Sequence, residues 1–198
     1  MPFTKYAVEK FISAKITKIT ECRLADLCAE FPNAKTWVSG FGLMVIFVNQ
    51  PREEMRAFAL QFIRRVEMVL SEYSSARKEL QDLISGKPRW SPYYRALHHV
   101  EAAAALLYQA YDFSHKALDQ RLFEPNDGSP LQRLNLIYGA SKHQLANAED
   151  PLWLSNEGIE TTVARLDFSE FEDLARTCAR IAERLTTTNV KSDVTTDV

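Results

Sequence analysis

The chain has 198 residues, 46% of them hydrophobic and 25% charged, which is enough to bury the core of one domain. Its formal net charge of −2 excludes a protein that holds nucleic acid through an overall basic balance, although a local basic patch remains compatible with that sum. The three cysteines lack metal-ligand spacing, which favours reduced thiols and predicts neither a metal site nor a cofactor.

The N-terminal residues lack the pattern of a signal peptide, a basic start followed by an apolar stretch. The most apolar run, 41–48, is far shorter than the roughly 20 residues that a membrane span requires. We therefore expect a cytoplasmic protein that does not enter a membrane.

The sequence pattern of residues 1–50 predicts a helical extension at the N-terminus of the chain. Apolar residues recur at steps of three and four over about 3–30, with a break near Thr20, and Pro32 ends the pattern. Within 41–48, the sequence VIFV at 45–48 is typical of a short buried strand or of a buried helix segment. Periodicity alone does not separate these two interpretations.

Residues 51–186 predict a helical bundle. Apolar spacing indicates helices over 51–86, 91–123 and 129–147, and each has a proline near its start. A last helix, capped by Asp167 or Ser169, extends to about Leu185.

Between the last two helices, residues 150–167 favour non-helical structure. Asn156-Glu157-Gly158 separates Trp153-Leu154 from Thr162-Val163, which predicts a small β-hairpin. Residues 187–198 have little to bury, so we expect a disordered tail. The fold class is mainly α, a bundle of four to five helices with one small hairpin.

A polar stripe follows one face of the helix at 129–147. Asn135, Gly139 and His143 lie at i, i+4 and i+8, opposite the apolar Leu134 and Ile137. A glycine inside a helix costs about 1 kcal/mol relative to alanine. We interpret Gly139 as a place where another helix or a ligand approaches the backbone.

The helix at 91–123 carries a second stripe, made of Tyr94, His98, Glu101, Ala105, Tyr108, Asp112 and His115. Such a mixture of ionisable, aromatic and small residues is typical of a groove or an interface. Simpler interpretations stay open: a histidine near a helix C-terminus interacts with the dipole, carboxylates stabilise bundles, and tyrosines pack.

Two segments, YYRALHHVEAAAALLYQAYD and RLNLIYGASKHQ, carry a family resemblance. With the long helix pair, they resemble the HEPN superfamily of small all-α domains over about residues 51–146. Catalytic members are metal-independent endoribonucleases of toxin and defence systems in prokaryotes. Their motif is an arginine, four to six residues and a histidine, and two copies meet across a homodimer.

The resemblance implies His143 as the acid–base residue, with Lys142 and Glu101 as further catalytic groups. From the polar stripes we predict that RNA is bound by Asn135, Gly139, Tyr138 and Tyr108. The motif is degenerate, because the positions expected to hold arginine, 136–138, are Leu, Ile and Tyr.

Two functional hypotheses follow. One is a bacterial HEPN-like defence protein that acts on RNA as a homodimer. The other is a non-catalytic helical module that binds a protein partner or a second copy, which the missing arginine and the acidic balance favour. A weaker third is a small-molecule pocket lined by Tyr94, Tyr108 and His115.

Overall fold

The computed structural model describes residues 8–10, 13–49, 51–85, 90–118, 121–142 and 152–187. They form a mainly helical protein with one small antiparallel sheet, which confirms the predicted fold class. The α-helices are α1 Leu27–Glu30, α2 Trp37–Leu43, α3 Glu53–Ile84, α4 Ser91–Leu118, α5 Pro130–Lys142 and α6 Phe168–Thr186. The strands are β1 Trp153–Leu154, β2 Gly158–Glu160 and β3 Arg165–Asp167. No helix within these ranges combines the length and the apolarity needed to cross a bilayer.

The long helices α3 and α4 pair as an antiparallel hairpin. The buried residues of α3 include two series at seven-residue spacing, Val66, Tyr73 and Leu80, and Val69, Ala76 and Leu83. The matching series on α4 are Tyr93, Val100 and Leu107, and Ala96, Ala103 and Ala110. A seven-residue repeat keeps one seam of each helix facing its partner, and the alanines leave room for the two backbones to approach.

Polar contacts along the flank of this hairpin confirm its antiparallel direction. They are Arg65 to Gln109 at 3.0 Å, Glu72 to His99 at 2.7 Å and Glu79 to Arg95 at 2.7 Å. The residue numbers rise along α3 as they fall along α4.

Helix α6 packs across the hairpin with one apolar face. Phe171 is fully buried and stacks on Tyr73, with ring centroids 5.0 Å apart. The helix begins with a capping box, in which Asp167 accepts from a backbone N–H and Glu170 accepts from the Asp167 N–H at 3.2 Å. Of the two predicted caps, the structure therefore selects Asp167 over Ser169.

The three strands form one antiparallel sheet in the order β1-β2-β3. Leu154 pairs with Ile159, and Ile159 pairs with Leu166, which places three buried side chains in a row. The prediction that Thr162-Val163 forms the second strand of a hairpin was wrong. These residues lie in the β2–β3 connection, and the sheet has a third strand whose short sequence, RLD, gives little strand signal.

Residues 19–26, called the strap below, have no regular secondary structure. The break predicted near Thr20 is confirmed, but the helical pattern expected over 3–30 was wrong for this segment. Asn156 Oδ1 accepts from the Thr20 N–H at 3.0 Å, and Glu172 accepts from the Ala25 N–H at 2.8 Å. These tertiary hydrogen bonds replace the ones that a helix would have made.

Residues 44–48 form one π-helical turn that continues α2. Trp37 and Phe41 bury one side of α2, whereas Ile46 and Phe47 project outward. The sequence predicted that 45–48 is buried, either as a strand or as a helix segment. For the exposed residues Ile46, Phe47 and Val48, both interpretations were wrong. The expected helix end at Gly86, that near Asn147 and the tail beyond Thr187 lie outside the described residues.

Candidate functional site

The polar stripe of α5 has the orientation predicted from the helical wheel. Leu134 and Ile137 are fully buried, whereas Asn135 and Gly139 are half-buried on the other face and Lys142 is exposed at the end. His143, the predicted acid–base residue, lies outside the described residues. The described stripe therefore ends at Lys142.

Two of the predicted RNA-binding residues meet in a stacked pair. Tyr108 on α4 and Tyr138 on α5 have ring centroids 4.9 Å apart and an interplanar angle of 24°. Both are half-buried. Glu101, also half-buried, precedes Tyr108 by seven residues, which is about 10 Å along α4. The stack joins the two polar stripes into one surface.

Gly139 is not in close contact with any described part of the chain. A Cβ built there meets nothing within 4 Å. The close helix approach inferred from the sequence is thus not made by the described helices. Among the described residues, therefore, none occupies the space beside Gly139.

The cations of α5 are Arg133 and Lys142. The Arg133 side chain donates to Glu170 and to the Gly128 carbonyl, so it holds the start of α5 against α6. It does not substitute for the arginine missing at 136–138. In the part of the chain that the structure describes, no group of three or more His, Cys, Asp or Glu side chains is placed to hold a metal ion.

Tyr94, Tyr108 and His115, suggested as the lining of one small-molecule pocket, are spread along a helix. All three lie on the single helix α4, and Tyr94 and His115 are 21 residues apart, which is about 30 Å along its axis. Such a distance is too long for one pocket of ordinary size.

An apolar groove lies where the first turns of α3 meet the last turns of α4 and α6. Its volume is about 190 Å³, and its lining residues are Met55, Phe58, Ala59, Phe62, Phe113, Ser114, Ile181 and Leu185. The Phe58 and Phe113 rings are tilted at 54° with centroids 6.4 Å apart. The Arg65 guanidinium lies 4.4 Å from the centroid of Phe113. Ser114 alone supplies a hydroxyl to a lining that is otherwise hydrocarbon and thioether.

Beside this groove, residues 43–48 form what we call the apolar turn. Its exposed side chains are Leu43 at 57%, Ile46 at 71%, Phe47 at 79% and Val48 at 40%. A Cβ at Gly40, one turn earlier, would lie 3.6 Å from Thr186 of α6. After the turn, Asn49 Oδ1 accepts from Arg56 of α3 at 2.5 Å. The apolar turn thus lies against α3 and α6, two of the three helices that line the groove. The apolar turn and the groove together are called the apolar end below.

The apolar end was not predicted from the sequence. The strongly apolar VIFV at 45–48 predicts a buried segment, whereas Ile46, Phe47 and Val48 are exposed. A signal for this exposure was present in the preceding segment, WVSGFGL, which forms α2. This glycine-rich helix has only enough apolar residues to bury one of its sides.

Tyr73, Glu172 and Cys178 are buried ionisable residues that do not line the groove. Glu172 accepts from the Tyr73 hydroxyl at 2.7 Å, and burial, with the nearby carboxylate, raises the pKa of that phenol. Burial raises the pKa of the Cys178 thiol to about 12, so it stays protonated and is a poor nucleophile at neutral pH.

Comparison with known proteins gives no relative from which a role could be transferred. No protein-family model, no curated protein and no solved structure matches the chain. The HEPN resemblance therefore rests on the residues of the two quoted segments alone.

Proposed function

We propose that this protein is a non-catalytic helical interaction module that binds a protein partner through its apolar end. One observation carries the proposal: Phe47 and Ile46 are 79% and 71% exposed beside a groove with an apolar lining. Single exposed apolar side chains are ordinary, but a contiguous patch of them marks an interaction surface.

The chemistry of the apolar end favours a protein over a charged small ligand. The groove offers one hydroxyl, from Ser114, and no charged side chain in its lining. A dry apolar cavity of roughly 150 Å³ holds a benzene molecule. A groove of about 190 Å³ can therefore receive one aromatic or branched aliphatic side chain.

The proposal is tested by site-specific photo-crosslinking in cells. A photoreactive amino acid at position 47 is expected to yield a covalent adduct with a protein. The same amino acid at Val163, 66% exposed on the β2–β3 connection, serves as the matched control and should yield none. No adduct at position 47, or equal adducts at both positions, would contradict the proposal.

A second candidate, action on RNA, is favoured by the Tyr108–Tyr138 stack near Gly139, where a Cβ would meet no described residue within 4 Å. Aromatic rings at the surface of a basic groove are used to stack bases. In this HEPN-like proposal, His143 moves protons, Lys142 and Asn135 bind phosphate, and Glu101 positions them.

The RNA candidate is tested with purified protein and metal-free buffer. Single-stranded and structured RNA should be cut by the wild-type chain and left intact by His143→Ala. RNA that stays intact with both proteins, or is cut equally by both, eliminates this candidate without affecting the first one.

A further inference from the structure

We propose that the partner of the apolar end is a second copy of this chain, with Phe47 of each protomer inserted into the groove of the other. This inference rests on the proposed function, since it names the partner of the same surface. It also assigns a symmetric dimer interface to the apolar end.

Both halves of the contact are present on one protomer. Phe47 has the largest exposed fraction among the exposed large hydrophobic side chains that the structure describes, and it does not line the groove of its own chain. The groove of about 190 Å³ is large enough for its phenyl ring. A two-fold axis between the apolar turn and the groove makes the contact twice, as an isologous interface requires.

The exposed apolar area is also of the size that a stable dimer needs. The side chains concerned are Leu43, Ile46, Phe47, Val48, Phe58 and Ile181. Their exposed fractions amount to about three fully exposed side chains, or roughly 600 Å² at about 200 Å² each. A stable interface buries about 800 Å² per partner, so the apolar end supplies most of that area before any rim is counted.

The C-terminal residues of the chain are a weaker occupant of the groove. They follow Thr187, close to Leu185 in the groove wall, but their sequence is TNVKSDVTTDV. Valines are their only apolar residues, so they supply no ring. A second copy supplies Phe47 and Ile46 from one rigid turn.

The test is the oligomeric state of the purified full chain, measured by light scattering and sedimentation velocity from micromolar concentration upward. We expect a dimer for the wild type. Phe47→Glu and, on the groove wall, Ile181→Glu should weaken dimerisation by at least about 30-fold, the effect of losing one hot-spot side chain. Val163→Glu, which places the same charge on an exposed valine elsewhere, should leave the dimer unchanged.

Mixing the two monomeric variants makes the test specific. A mixed dimer of Phe47→Glu with Ile181→Glu keeps one wild-type ring opposite one wild-type groove, so dimerisation should be partly restored. Circular dichroism checks that both variants are folded. A wild type that stays monomeric, a dimeric Phe47→Glu variant, or no restoration on mixing would overturn the inference.

The two proposals fail separately. If the wild type is monomeric but a probe at position 47 crosslinks to a different protein, the dimer inference is wrong. The proposal of a protein-binding module is then still supported. If the wild type is monomeric and position 47 gives no adduct, both are wrong.

Discussion

Glu172 shows how one residue joins three parts of the chain. Its carboxylate is 7% exposed on α6 and accepts hydrogen bonds from the Tyr73 hydroxyl of α3 and from the Ala25 N–H of the strap. Arg176 lies 3.5 Å from the same carboxylate. A buried carboxylate is stable only with such partners, and its partners depend on it equally.

Replacing Glu172 with alanine should therefore lower the free energy of unfolding by about 2 to 4 kcal/mol, because a phenol and a backbone N–H lose their acceptor. Urea denaturation measures this. Asp173→Ala is the control, since the Asp173 side chain is 78% exposed and its pair with Arg176 contributes little. A loss of similar size in both variants would show that burial at Glu172 is unimportant.

The buried phenol of Tyr93 should make the free energy of unfolding depend on pH in the alkaline range. It is fully buried, accepts from the Leu154 N–H at 2.9 Å and donates to the Leu154 carbonyl at 3.3 Å. Burial raises its pKa from 10.0 to about 12. Because the folded pKa is the higher one, the stabilising contribution is complete below the unfolded pKa of 10.0 and is lost as pH rises towards 12.

We therefore expect the urea midpoint of the wild type to fall as pH rises above about 10. Tyr93→Phe should start from a lower stability but show a smaller fall, since it has no phenol to ionise at that position. Tyr94→Phe, which changes a 44% exposed neighbour, should fall as the wild type does. Parallel pH profiles for Tyr93→Phe and the wild type would contradict this assignment.

At the scale of elements, local patterns predicted the helices and failed elsewhere. The apolar spacing in α3 and α4 acts within a few residues, so the sequence alone predicts these helices, and it narrows the cap of α6 to Asp167 or Ser169. The strap and β3 depend on partners that are distant in sequence. Thr20 is 136 residues from Asn156, and no periodicity within the first 30 residues reveals that hydrogen bond.

Two glycines, Gly158 and Gly139, differ in how closely other residues pack against their backbone. At Gly158 in β2, a Cβ would overlap the Leu166 carbonyl and lie 2.8 Å from the Asp167 Cα, whereas at Gly139 it meets nothing within 4 Å. Gly158→Ala should therefore cost about 1 to 3 kcal/mol, because strand backbone must move.

Gly139→Ala should instead stabilise the fold by up to about 1 kcal/mol through helix propensity. Thermal and urea unfolding of both variants measure the contrast. Destabilisation by Gly139→Ala would mean that something outside the described residues packs there.

At the scale of the molecule, the candidate site was harder to predict than the fold. The wheel placed Leu134 inward and Asn135 outward correctly, and both members of the Tyr108–Tyr138 stack were named from the sequence. The apolar end could not be predicted, because the exposure of Phe47 depends on which helices meet beside it.

The strap gives a prediction for the molecule as a whole. Asn156 accepts from the N–H groups of Thr20 and Glu21 and donates to the Thr20 hydroxyl at 2.9 Å. Asn156→Ala should increase hydrogen exchange at these two amides by about 5- to 10-fold, as expected from losing roughly 1 kcal/mol.

Exchange in the middle of α3 and α4 should not change in that variant, because their buried seam is untouched. Ser155→Ala offers a comparison within the same turn, since its hydroxyl contacts Gly158 and not the strap. Faster exchange throughout the protein would mean that the strap contributes to global stability.

The same strap has a consequence for synthesis on the ribosome. Thr20 is made 136 residues before Asn156, and at about 5 to 20 residues per second that delay is on the order of ten seconds. During this time the strap, with its buried residues Ile19 and Leu24, lacks its contacts with Asn156 and with Glu172 of α6. Helices α3 and α4 can pair as they emerge, so the first part of the chain to be made is among the last to dock.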